Sequence, residues 1–257
     1  RRCTMNITMA LDPFQKKAAG KKSEAVSDVN LEKDPTIQSA LALYRTQRRG
    51  YYEDEIPILT PQQINRFYQE YVELPGIISP GNDKDRTYSF LTLLINRSHQ
   101  VGHNDFYLNT QAGCMWALGR MVRGSPNRRL SITIHGDVGH DYASYCEYVD
   151  SVVLGNAGQS AAHYAENSTF VFKGSVDHGA GSQSKNSYLH IENLIDTMLG
   201  EYAKNSYFMI KGRFLQQNYH HNDYPHNSTF HVFNKDAYDA LSNGSNFHKG
   251  ANTVILK

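Results

Sequence analysis

Asn167-Ser-Thr-Phe-Val-Phe-Lys-Gly174 is followed by Asn186-Ser-Tyr-Leu-His-Ile-Glu-Asn193 and then by Asn205-Ser-Tyr-Phe-Met-Ile-Lys-Gly212, each copy starting 19 residues after the last. A fourth, Asn227-Ser-Thr-Phe-His-Val-Phe-Asn234, comes after a 22-residue step. Two apolar columns alternate with variable positions: Phe170, Leu189, Phe208 and Phe230, then Phe172, Ile191, Ile210 and Val232. They extend upstream through Ser151 and Val153 to Ile132 and Ile134. A period of two is the mark of a strand with one buried face. Gly136, Gly155, Gly174, Asn193, Gly212 and Asn234 follow each strand. Gly and Asn enter left-handed conformations most cheaply, so this column reads as a structural corner. Asn167, Asn186, Asn205 and Asn227 mark a second corner on the same grounds. The Asn-Ser-Thr triplets at Asn167 and Asn227 therefore read as turn chemistry and not as glycosylation acceptors.

Past the first corner, Val138, Ala157, Val176, Ile195 and Phe214 form another apolar column, broken by Asp236. Ala143, Ala162, Gly181 and Gly200 keep one position small until Tyr219, as a bend requires. A 19-residue unit is too short to bury its own apolar face, but stacked units turn every column into a ladder. The expected fold is mainly β: a single-stranded, right-handed parallel β-helix (solenoid) of six to seven coils over residues 129–257, with Thr253–Leu256 as a last partial coil. At about 4.8 Å per coil, six coils make a rod of roughly 29 Å. The three extra residues belong to residues 216–226, a loop expected to bulge outward.

The N-terminal half follows other rules. Residues 1–33 carry Lys16, Lys17, Lys21 and Lys22 with little periodicity and read as a basic flexible arm. Residues 34–128 are expected to be an α-helical region capping the solenoid. Asp34-Pro35 opens a helix with Ile37, Ala40, Leu41 and Tyr44 on one face; Thr60-Pro61 opens a second with Ile64, Phe67, Tyr68, Tyr71 and Val72. Shorter helical pieces are expected at residues 88–95 and 115–122. A solenoid end exposes strand edges and core side chains, and these helices are the natural cover for the first coil.

A chain of 257 residues with 20% charged side chains and a net charge of +1 has no field to draw in nucleic acid or an anionic membrane. Cys3, Cys114 and Cys146 form no metal or disulfide pattern, and the longest apolar runs fall far short of a span. A soluble, cytoplasmic protein with reduced thiols is expected.

Gly136-Asp-Val-Gly-His-Asp-Tyr, followed by Gly155-Asn-Ala-Gly-Gln-Ser, resembles the repeated pattern of the GXGXG β-helix. That domain closes the large chain of glutamate synthase and makes up one whole chain of the formylmethanofuran dehydrogenase complex. Asn96-Arg97 followed by Gly102 resembles the stretch leading into it, so the likeness covers residues 96–215. The chain departs from the pattern at Asp177 and Asp196, which stand where the family has glycine, and at Asn193 and Asn234. The resemblance implies a structural, inter-domain solenoid without catalytic residues.

Two functions are compatible with these residues. The first is a non-catalytic scaffold or subunit that meets a protein partner or itself through the solenoid end or an apolar face, since Val152, Val171 and Met209 form an outward stripe beside His190 and His231. The second is a sugar-active or metal-dependent protein using outward Asp177, His178, Glu192 and Asp196, or a metal held by His220, His221 and His226. The first is favoured, with no catalytic residues, no cofactor and no membrane or nucleic-acid partner expected. His99 and His103 lack the glutamate of a zinc-protease helix and read as polar capping. Arg120, Arg123, Arg128 and Arg129 suit either an anion or acidic packing partners.

Overall fold

The computed structural model describes residues 34–46, 55–72, 83–110, 116–215, 224–242 and 251–257. Eight parallel strands pair strictly in chain order: β1 (Asp105–Thr110), β2 (Leu130–Gly136), β3 (Val149–Val153), β4 (Thr169–Phe172), β5 (Tyr188–Ile191), β6 (Tyr207–Ile210), β7 (Thr229–Val232) and β8 (Thr253–Leu256). Parallel neighbours need a crossover, and here each crossover is the rest of one coil. Two thinner ladders hold the coils elsewhere. One runs Val138, Ala157, Val176, Ile195, Phe214; the other joins Arg123, Glu147, Glu166, Lys185, Lys204 and His226. The fold is a parallel β-solenoid. The apolar columns read from the sequence are its core: Ile134, Val153, Phe172, Ile191, Ile210 and Val232 are all fully buried.

The ladder begins earlier than the 19-residue period indicates. β1 falls inside the region expected to be helical, with Phe106 opposite Ile132 and Leu108 opposite Ile134. The 26-residue step from Phe106 to Ile132 takes β1 out of register with the repeat, which hid it. Residues 116–121, expected to be helical, instead form the first left-handed corner, with Ala117, Gly119 and Met121 at positive φ. Equivalent corners follow at Ala143, Ala162, Gly181 and Gly200, with φ of 52°, 58°, 66° and 68°, so the small column marks a true bend. At Gly181 and Gly200 a Cβ would also press on Leu189 and on the Phe208 ring.

The two predicted corner columns work differently. Asn167, Asn186, Asn205 and Asn227 are left-handed, with φ between 47° and 51° as expected of asparagine. Their amides also bond coil to coil, Asn186 Nδ2 to Asn167 Oδ1 at 3.3 Å and Asn227 Nδ2 to Asn205 Oδ1 at 2.7 Å. In the other column only Gly136 is left-handed, with φ of 124°. Gly155, Gly174 and Gly212 are required because a Cβ would run into the backbone carbonyl of the coil before: Gly136, Gly155 and Asn193 respectively. Asn234 does something else again, accepting from the backbone of Asp236 and Ala237 at 2.8 and 3.3 Å to start helix α4 (Lys235–Ser242). That helix is why the second apolar column stops at Asp236.

The serines beside the asparagines form an internal ladder. Ser187 Oγ donates to Lys185 O at 2.9 Å and accepts from Ser168 N at 3.3 Å; Ser206 and Ser228 repeat the pattern. In the last coil Asn252 Oδ1 takes the serine's place, accepting from Ser228 N at 3.0 Å.

Helices α1 (Pro35–Thr46), α2 (Pro61–Phe67, running into a π-helical turn at Tyr68–Val72) and α3 (Asp83–Gln100) precede the strands. Ile37, Ala40, Leu41 and Tyr44 are the buried face of α1, as the spacing predicts. Thr60 caps α2 in a reciprocal box with Gln63. Tyr44, Phe67 and Phe90 join the three helices through ring contacts of 5.4 to 6.0 Å. α2 packs on β1, where Asn65 Oδ1 accepts from Asn109 N at 2.9 Å. α3 includes residues 88–95 but is longer than expected, and it docks on the first corner through Thr92 Oγ1 to Arg120 O at 2.7 Å. The arm at residues 1–33 and the loop at residues 216–223 lie outside the described residues.

Asn186→Ala should lose about 1 kcal/mol of stability, because alanine is costly at left-handed φ, whereas Asn186→Gly should lose less. Ser187→Ala leaves the Ser168 N–H without its acceptor and should cost about 1–3 kcal/mol. Urea unfolding of the three variants measures the order.

Candidate functional site

Strict register decides what the side chains can build. Every outward column places like positions one rung apart, so a charge on one coil faces a neighbour on the next. Asp177 and Asp196 occupy such a pair. They line an open groove of about 520 Å³ with Asp137, Asn156, Ser175, Leu194 and Leu215. Burial, a hydrogen bond with the Asp177 carboxyl and its charge hold Asp196 above the usual carboxylate range. His178 is tied to the rung above through Nδ1 and Thr197 Oγ1 at 2.6 Å. Glu192 is not part of this groove; it sits on the strand face between Lys173 and Lys211, at 2.7 and 3.6 Å. Glycoside hydrolysis needs carboxyls about 5–5.5 Å apart for retention or about 6.5–9.5 Å for inversion. Asp177 and Asp196 stand on adjacent rungs, near enough for the one carboxyl to raise the other, while Glu192 is held apart from them by its lysines.

The histidine cluster divides between described and undescribed residues. His220 and His221 lie outside the described residues. His226 is a rung of the third ladder, its N–H donating to Ala203 O at 2.7 Å and its ring 5.0 Å from Tyr224. Among the described residues no group of three or more His, Cys, Asp or Glu is placed to hold a metal ion. His99 Nδ1 donates to His103 O at 3.1 Å just beyond the end of α3, in keeping with the capping reading.

The arginine cluster is tied down internally. Arg129 grips both Asp150 carboxylate oxygens, at 2.7 and 2.8 Å, and Arg128 donates to His99 O. Arg123 pairs with Glu147 at 3.6 Å, and Arg120 lies over the Tyr145 ring. Cys146 is buried with a free thiol, which burial pushes up to about 12, far from a reactive thiolate.

The outward stripe on the strand face is not the exposed surface its alternation suggests. Val152, Val171 and His190 are buried, and Met209 and His231 are half-buried. Tyr188 and Tyr207 stack 5.3 Å apart on one side of the row; the Lys173, Glu192, Lys211 triad lies on the other. Tyr188 Oη donates to Met209 Sδ at 3.4 Å, and Tyr207 Oη bonds His231 Nδ1 at 2.5 Å. The equivalent neighbour of His190 is Thr169, and both His190 ring nitrogens lack a hydrogen-bond partner.

The ends of the ladder contrast. At β1, Phe106 and Leu108 are 1% exposed beneath α2. At β8, Leu256 continues the fully buried column that ends at Val232, yet it is 46% exposed. α4 packs against β8 through a face that buries Ala237 and Leu241. Among the described residues no strand pairs with the far edge of β8, and no helix is long and apolar enough to cross a membrane. One further surface escaped the sequence reading, a column of large side chains on the left-handed corner: Met121, Tyr145, Tyr164, Gln183 and Tyr202. The 19-residue spacing of its last four members was the signal available. In comparisons with protein families, curated proteins and solved structures, no match to the chain was found.

Burial, together with Lys211 and Lys173, lowers His190 from 6.5 to about 4. Between these values the unfolded chain binds a proton that the fold excludes, so stability should fall as pH drops from 6.5 towards 4 and be indifferent to this group above 6.5. His190→Leu removes that component. Its stability relative to the parent, from urea midpoints, should improve by about 2.5 kcal/mol between pH 7.5 and pH 4.5.

Proposed function

We propose that this chain is a non-catalytic scaffold or subunit whose solenoid carries a protein partner, a second copy included, at its C-terminal edge. The observation that supports this reading is the exposure of Leu256 in a column otherwise fully buried. A coil stacked on β8 would bury that side chain and satisfy the strand's outer backbone groups, which is the means by which solenoids and sheet edges recruit other chains. The resemblance to the GXGXG β-helix, a structural element of larger enzymes, is in keeping with this role, as is a right-handed coil sense. A reducing, cytoplasmic setting suits the buried free thiol of Cys146.

Light scattering on the full chain should give a mass above the monomer, or a stoichiometric partner should copurify. Leu256→Lys and Ile255→Lys should each weaken that association at least ten-fold while leaving the urea midpoint nearly unchanged. A strict monomer with no partner at any concentration would overturn the proposal.

A further inference from the structure

Bonds to β7 orient the backbone of β8. Thr253 N donates to Ser228 O and Lys257 N to Val232 O, both at 2.9 Å. In a paired strand the N–H and C=O of one residue leave on the same side, and the side alternates along the chain. Thr253, Ile255 and Lys257 therefore face β7, while Val254 and Leu256 turn their backbone groups to the outer edge. The same two residues continue the core columns, Val254 opposite Phe230 and Leu256 opposite Val232. Leu256 is 46% exposed, and Ile255, on the outer face of the sheet, 36%. A chain that covers this edge must bring backbone partners for Val254 and Leu256 and, at the same positions, apolar side chains on the core side.

A second copy of β8 brings both. Turned about a two-fold axis normal to the sheet at Ile255, it runs antiparallel, with Val254 opposite Leu256, Ile255 opposite Ile255 and Thr253 opposite Lys257. Val254 and Leu256 become hydrogen-bonded pairs on either side of the axis, so their outer N–H and C=O groups are all satisfied. An axis normal to the sheet keeps the inward faces together, and the valines and leucines of the two copies continue one core. An axis at Val254 would instead set Leu256 against Asn252, whose side chain is bonded to Ser228 N and Pro225 O. Around Ile255 the two Lys257 residues stay about 14 Å apart along the strands, beyond the screening length at physiological salt. The far end of the ladder offers no competing surface, since Phe106 and Leu108 of β1 are 1% exposed beneath α2. Head-to-tail stacking needs two open ends, whereas the contact of one edge with itself closes as a dimer.

Taking the β8 edge as the interface of this scaffold, we propose that its occupant is a second copy of the chain, paired β8 to β8, antiparallel, about a two-fold axis at Ile255. The two solenoids then share one sheet that reverses direction at its centre.

Single cysteines in the full chain read the register, in a background carrying Cys3→Ser and Cys114→Ser, with Cys146 buried. Light scattering before oxidation should give twice the chain mass. Under oxidised glutathione Ile255→Cys should link into a dimer, because opposed residues of a non-hydrogen-bonded pair have Cα atoms about 4.5 Å apart, within the span of a disulfide. Thr253→Cys alone should link roughly ten-fold less, its two copies standing about 14 Å apart. An equal mixture of Thr253→Cys and Lys257→Cys should link, and it reads the same register with the Ile255 side chain in place. Linking that is no greater through Ile255→Cys and the mixture than through Thr253→Cys overturns the proposal. A chain that is monomeric alone but copurifies with a different protein also overturns it and leaves the scaffold reading standing; a monomer without any partner removes both.

Discussion

No coil of this chain can bury its apolar residues without the coils on either side of it. A strand such as Tyr188–Ile191 offers two inward side chains, Leu189 and Ile191, and water would reach both if the rungs above and below were absent. Register with the neighbours is thereby imposed on every position of the coil, because the same parallel bonds that cover Leu189 also fix what stands above Asn186, Ser187 and Lys185. Corners, serine ladder and charged columns are consequences of that one requirement.

Register brings polar groups of one type together, and the chain resolves each case differently. Asparagine amides bond one another along their column. Buried serines accept the N–H of the coil before and donate within their own coil, which spares the corner an unsatisfied donor. Opposite charges alternate where they can, as in Glu166 with Lys185 and in Lys173 with Glu192. Where two aspartates fall on one column, burial and the neighbouring Asp177 carboxyl raise Asp196. The irregular pieces sit at the ends: α2 over β1, α4 beside β8.

Much of this fold is legible in the residues alone. Ile37, Ala40, Leu41 and Tyr44 announce α1, and Thr60-Pro61 announces α2, because capping and a 3.6-residue period are local rules. Phe106 and Leu108 are not legible as strand, since a 26-residue step separates them from the repeat. The glycines of the first corner stand out by spacing, but conformational freedom is an incomplete reason for them: at Gly155, Gly174 and Gly212 the neighbouring coil's carbonyl, and not a left-handed φ, excludes a side chain. Alternation places the valine stripe outward correctly, yet its burial is invisible in the sequence, because the tyrosines and lysines that flank it come from other strands.

The sequence by itself determined the period, the inward columns, the asparagine corner and the final strand at Thr253–Leu256, since a repeat writes its contacts into spacing alone. Only the tertiary structure decided why Ser151 interrupts an apolar column, the buried Tyr142 hydroxyl bonding its Oγ at 2.6 Å. It also decided that Asp177 raises Asp196, that His190 is buried with neither ring nitrogen hydrogen-bonded, and that Leu256 is left exposed. Each of these depends on how far one coil stands from the next and on what side chains of other coils fill, and neither quantity has a signature within a single repeat.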